Sequence, residues 1–199
     1  VELTRAALAA GYANILMLPP FFYKGVSDDG LFRAYGDVIE RVGDDAMGIY
    51  VYDFPKMTGL EISPDLLVRL HEAFPETIVG VKDSSGSWPD MLEVAERIPG
   101  FGTFAGTERY LLATLRAGGA GCISATANVT CGLAAELYAR WQDEGADALQ
   151  ERVTQVRLAL EAYPAVPALK EIMAAHTGRA GWRHARPPMV ALSDQVRAD

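Results

Sequence analysis

The stretch Thr77 to Gly86, T-I-V-G-V-K-D-S-S-G, decides how the rest of the chain is read. A short, largely β-branched run stops at Lys82 and passes at once into Asp83 and a Ser-Ser-Gly turn. Apolar runs this short and continuous read as strands covered on both faces, the kind that build parallel sheets. Lys82 then stands at the carboxyl end of its strand, where open α/β sheets and α/β barrels keep their chemistry. Taken alone, it reads first as a lysine leaving the core for solvent, or one that pairs with Asp83.

The flanking sequence repeats the same pattern. Upstream, Val1 to Ala10 has helical spacing, Gly11 stops it, and Asn14 to Leu18 is a strand ending at Pro19-Pro20. Ser27 caps a helix that runs to about Val42, with Asp28 and Asp29 in its first turn. Ala46 to Tyr52 is the second strand, and Ser63-Pro64 opens the helix that precedes the lysine strand. Downstream, a helix spans about Pro89 to Arg97, Phe101 to Ala105 is a fourth strand, and Gly106 opens a turn into a helix ending near Ala117. Gly121 to Ala125 is the fifth strand, followed by helices over about Thr130–Asp143, Ala146–Ala162 and Val166–His176.

Strict βα alternation implies a parallel sheet with helical cover, in the α/β class. No G-x-G-x-x-G or Walker-type loop follows any strand, which weakens an open nucleotide-binding sheet. A complete (β/α)8 TIM barrel needs eight strands and about 250 residues. Five strands behind a helical start therefore predict the last five βα units of such a barrel, the first three being absent from the 199 residues. The expected layout is a single domain over 1–199, with a partial barrel to about residue 125 and helices from about 130 to 199.

The net charge of −8 argues against a nucleic-acid or anionic-membrane partner. No run of 18 apolar residues and no signal-peptide pattern are present, so a cytoplasmic protein is expected. Cys122 and Cys131 lack ligand-like spacing and have three histidines for company; reduced, buried thiols and no metal are expected.

Successive strand ends deliver Tyr52, Lys82 and Gly106-Thr107-Glu108. Adjacent parallel strands lie about 4.8 Å apart, so Tyr52 and Lys82 could share a pocket. A nucleophilic lysine must be neutral, and an ordinary one is neutral in about one molecule in 2,500 at pH 7. Desolvation at the mouth of an apolar barrel raises that fraction, and a neighbouring phenol can carry the proton that imine chemistry moves. Tyr52 could instead be a core aromatic, and Glu108 a first-turn helix acid.

At these residues the chain resembles the dihydrodipicolinate synthase and N-acetylneuraminate lyase superfamily, class I aldolases on a (β/α)8 barrel. The similarity lies in Y-D-F-P-K-M-T-G at Tyr52 to Gly59, V-G-V-K-D-S-S-G at Val79 to Gly86 and A-G-T-E at Ala105 to Glu108. G-A-G-C-I-S-A-T-A-N-V at Gly119 to Val129 and R-P-P-M-V-A-L-S at Arg186 to Ser193 extend it. The resemblance implies a lyase or aldolase in which Lys82 forms a Schiff base with pyruvate or a related 2-oxoacid and Tyr52 transfers the proton. Gly106 and Ile123 would line the pyruvate pocket through backbone groups, and Thr107 and Glu108 would face the variable end of the substrate. It further implies an aldehyde partner, no metal or organic cofactor, and a homo-oligomer, dimer or tetramer.

Three departures bear on the substrate. Met57 stands where dihydrodipicolinate synthases carry a carboxylate-binding arginine, Phe22 stands where they place a relay tyrosine, and the Thr-Thr-Gly-Glu stretch near their carboxylate site is absent. The missing arginine favours a 2-keto-3-deoxy sugar-acid aldolase or dehydratase over the lysine-pathway synthase. A non-catalytic 2-oxoacid-binding relative is the alternative of another class.

Overall fold

Five parallel strands lie in sequence order in one sheet: β1 (Asn14–Met17), β2 (Gly48–Asp53), β3 (Ile78–Asp83), β4 (Gly102–Ala105) and β5 (Gly121–Cys122). The structure is a computed structural model and describes residues 1–44 and 46–198. Between the strands run α1 (Glu2–Ala9, before β1), α2 (Asp28–Val42), α3 (Pro55–Thr58), α4 (Pro64–Ala73), α5 (Trp88–Arg97) and α6 (Leu111–Arg116). The helix starts follow local chemistry: Ser27 Oγ accepts the Gly30 amide at 3.3 Å and Ser63 Oγ accepts the Leu66 amide at 3.0 Å. Gly43, in the left-handed region at φ 65°, ends α2.

The chain forms two compact units, Val1–Ile123 and Ser124–Asp199. In the first, β2 and β3 are the centre. Ile49 and Val51 of β2 and Ile78 and Val81 of β3 are almost wholly buried and pack with Leu31, Leu66 and Leu70. The opposite face carries Tyr50, Tyr52 and Lys82, all half-buried. This two-residue alternation separates apolar packing from polar chemistry along the same strands. In the second unit, α7 (Ala127–Ala139), α8 (Ala146–Glu161) and α9 (Ala165–Thr177) are followed by α10 (Asp194–Ala198). Arg183 grips Glu171 through two guanidinium nitrogens at 2.8–2.9 Å.

Some expectations need correction. The fifth strand is only Gly121–Cys122, although the Ile123 amide still reaches the Ala105 carbonyl at 2.9 Å. The helix expected from Thr130 begins at Ala127. The short α3 escapes periodicity, being a single turn; Pro55 opens it and Gly59, at φ 64°, closes it. Neither cysteine is fully buried, for Cys122 is half-buried and Cys131 exposed; both are free thiols.

The register between β2 and β3 contains one irregularity. Ile49 pairs with Ile78, but Tyr50 pairs with Gly80, so Val79 is an extra residue on β3. Beyond this bulge Val51 faces Val81, Tyr52 faces Lys82 and Asp53 faces Asp83.

Candidate active site

Tyr52 and Lys82 are brought together by that register. The Lys82 amine donates to the Tyr52 hydroxyl at 2.9 Å, and Nζ lies 4.1 Å from the Tyr52 ring centroid. Phe54 stacks on the same ring, with centroids 5.4 Å apart and planes at 20°. On the same strands, Tyr50 lies across Gly80 and Gly102: a Cβ added to Gly80 would sit 2.4 Å from its ring. Phe104, the β4 residue paired with Lys82, meets Tyr50 edge-on at 5.7 Å. The amine therefore has the Tyr52 ring beside it and the Tyr52 phenol as its hydrogen-bond partner, with Phe104 at the paired position on β4.

Gly106 follows β4 and is pressed against the exit of the lysine strand. Its amide donates to the Asp83 carbonyl at 2.6 Å, and any side chain would strike Ser84 and that carbonyl. Thr107 Oγ1 accepts the Arg109 amide at 3.4 Å, capping the 3-10 turn Glu108–Tyr110. Glu108 itself is wholly buried. Burial, with the nearby Glu108, pushes the Cys122 thiol up to about 11. Ile123 is 38% exposed at the end of β5.

Directly behind Tyr52 and Lys82, on the other face, sit Asp53 and Asp83, only 5% and 7% exposed. Burial and then the neighbouring Asp83 raise the Asp53 carboxyl to about 7. Burial also raises Asp83, against hydrogen bonds from the Ser85 hydroxyl at 2.6 Å and amide at 2.8 Å. A cleft of about 730 Å³ opens on this acidic side, lined by Asp53, Asp28, Glu61 and Asp90 among others, and not by Lys82 or Tyr52. Among the described residues no three His, Cys, Asp or Glu side chains are grouped as a metal site requires, and no helix is long and apolar enough to cross a membrane.

Sequence reasoning passed over the acid pair, the Tyr50 shelf and Phe54. The pair was signalled by Y-D and K-D ending successive strands, and the shelf by Tyr50 and Tyr52 at period two. No sequence signal marks the Val79 bulge.

A parallel α/β protein with a lysine and a tyrosine bonded across adjacent strand ends is the class that fold and geometry define. The model of the Dihydrodipicolinate synthetase family matches residues 1–199, and the chain belongs to that family. An uncharacterized DapA-like lyase of Chloroflexus aurantiacus is 29% identical over 85% of the chain and 57% of its own length. The 4-hydroxy-tetrahydrodipicolinate synthase of Gluconacetobacter diazotrophicus is 32% identical over 80% of the chain and 54% of its own length. The chain thus matches little more than half the length of these relatives. Among solved structures, dihydrodipicolinate synthase from Agrobacterium tumefaciens is 35% identical with a TM-score of 0.89, covering 99% of the chain and 67% of that protein. YagE of E. coli, a family member solved in complex with pyruvate, is 26% identical with a TM-score of 0.88 over the same shares of the two chains.

Proposed function

We propose that the protein is a class I lyase or aldolase that holds pyruvate or a related 2-oxoacid as an imine on Lys82. One observation carries this reading: the Lys82 amine is bonded to the Tyr52 hydroxyl at paired strand positions. Attack of the amine on a keto carbon expels the oxygen as water, and a phenol at 2.9 Å is within reach to relay the protons involved. The protonated imine then draws electrons from the adjacent carbon, so the bond to C3 of pyruvate can form to an aldehyde or break. The pyruvate bound to YagE supports a 2-oxoacid here.

In this proposal Gly106 and Ile123 offer backbone groups to the 2-oxoacid. Thr107 and Glu108 meet the variable end of the substrate, Glu108 from the interior beside Cys122. The five βα units correspond to the last five of a (β/α)8 barrel within a single domain, acting in the cytoplasm as a dimer or tetramer. Phe21, Phe22 and Tyr23, 54%, 82% and 75% exposed, would contribute to the contact between copies.

A second reading, a 2-keto-3-deoxy sugar-acid aldolase or dehydratase, is favoured by Met57. Its thioether is no donor for a substrate carboxylate, and the side chain stands 71% exposed on α3. The test is to treat the full chain with pyruvate and borohydride and map the adduct by mass spectrometry. A reduced adduct on Lys82 is expected; an adduct elsewhere, or none with any 2-oxoacid, overturns the imine. A panel of aldehydes then separates the substrates. An adduct without turnover on any of them would mark the non-catalytic relative.

A further inference from the structure

We propose that Asp53 and Asp83 are a positioning pair for the Lys82–Tyr52 contact, holding the two strand ends together while at most one is ionised and easing them apart when both are. The geometry is direct. Each acid immediately follows a member of the Tyr52–Lys82 pair, and the acids face one another on the buried side of β2 and β3. Adjacent strands are about 4.8 Å apart, so two carboxylates at this position repel through a medium that screens poorly.

The same residues tie down the strand exits. The Asp53 carbonyl accepts the Ser84 amide at 2.8 Å, and the Asp83 carbonyl accepts the Gly106 amide at 2.6 Å. The Asp83 carboxylate holds Ser85. Parting the acids therefore strains the segment that carries Lys82.

Among the described residues, no cationic side chain lines the cleft beside Asp53 to offset a second negative charge. Asp83 faces it from β3, Glu61 from the turn before α4 and Asp90 from α5, while the buried Tyr35 phenol approaches from α2. Asp28, across the cleft, is bonded to Ser63. None of the cleft-lining residues is Lys, Arg or His. The Ile62 amide, at 3.3 Å, favours the Asp53 anion. Asp53 consequently titrates at about 7, where small changes of pH decide its state. The cleft supplies the proton from water.

The consequence for turnover rests on the Lys82 imine; the coupling of the two pairs does not. The full chain, carrying carboxyl-¹³C aspartate and ring-¹³C tyrosine, is titrated by NMR from pH 5 to 9, with Tyr52→Phe assigning the ring signal. One aspartate and the Tyr52 ring are expected to move together with a midpoint near 7, and both transitions vanish in Asp53→Asn. A Tyr52 signal that stays flat in this range, or a transition unchanged in Asp53→Asn, overturns the proposal. If Asp53→Asn does not fold, Asp83→Asn takes its place, and a flat wild-type Tyr52 signal overturns the proposal without either. Borohydride trapping with pyruvate over the same range separates the two ideas. Coupled transitions without any adduct refute the imine and leave the pair standing; an adduct with a flat Tyr52 does the reverse.

Discussion

Replacing Gly106 by alanine should damage the lysine strand from the neighbouring strand's end. A Cβ at this position would lie 2.2 Å from Ser84 Oγ, 2.7 Å from the Asp83 carbonyl oxygen and 2.8 Å from Ser84 Cα. The hydroxyl can rotate away, but the two backbone atoms can move only with β3. They are also held close, because the Gly106 amide bonds that same carbonyl at 2.6 Å. Loss of the hydrogen bond costs about 1 kcal/mol and overpacking about 1–3 kcal/mol, so roughly 2–4 kcal/mol in all. For a chain of this size that lowers Tm by roughly 4–16 °C. Calorimetry measures the melting, and the rate of pyruvate-dependent trapping on Lys82 should fall with it, since Ser84 and Asp83 follow the lysine directly. Gly30→Ala is the control: only Ser27 Oγ, at 3.7 Å, approaches the new methyl, in the first turn of α2. That change should stabilise by about 0.5–1 kcal/mol through the lost flexibility of glycine in a helix. A Gly106→Ala protein that melts within a degree of the wild type would refute the packing argument.

Tyr52→Phe removes the 2.9 Å bond to Lys82 but keeps the ring stacked on Phe54. Trapping with pyruvate should slow by about 10²-fold or more with Tm nearly unchanged, and an unaltered rate would count against the proton relay. Ser63→Ala loses the cap to the Leu66 amide and the bond to Asp28, and should lower the urea midpoint by an amount equal to about 1 kcal/mol. Asp53 is an acid whose folded-state value is raised from 3.8 to about 7, so the folded chain holds its proton longer than the unfolded one. Its stabilisation is present below pH 3.8, declines as pH rises and is gone above about 7, a change of up to roughly 4 kcal/mol. Urea melts at pH 5 and pH 8 should show the loss, and Asp53→Asn should flatten it. Cys122, with its thiol at about 11, should resist iodoacetamide at pH 8 in the folded protein and react once unfolded, as read by peptide mass spectrometry.

Much of this could be read from the residues because local and global signals agree. Ser27 and Ser63 start helices where their caps predict, and β3 occupies the β-branched run that ends in Lys82. The parts that were hidden depend on other strands. Tyr50 is only another strand aromatic until Gly80 and Gly102 leave room for its ring, and Glu108 reads as a first-turn acid until its burial beside Cys122 is visible. The Y-D and K-D strand ends hint at an acid pair, but that Asp53 and Asp83 lie opposite one another depends on a bulge that periodicity does not encode.

That bulge explains why such an unfavourable acid pair is present. Were the pairing of Ile49 with Ile78 continued in step, with Val79 opposite Tyr50, Tyr52 would face Val81 and Asp53 would face Lys82. The result would be an aspartate and a lysine at one ladder position, a favourable partnership that keeps the amine charged and unreactive. Leaving Val79 out of the ladder exchanges it for two new pairs: Lys82 against Tyr52, and Asp53 against Asp83. The first gains a hydrogen bond between groups suited to imine chemistry, and the second accepts repulsion in a buried place. The two cannot be chosen separately, since on adjacent parallel strands a single register sets both. The raised carboxyl of Asp53 is therefore the counterpart of the lysine–tyrosine contact, and relieving it by Asp53→Asn should leave that contact formed at every pH.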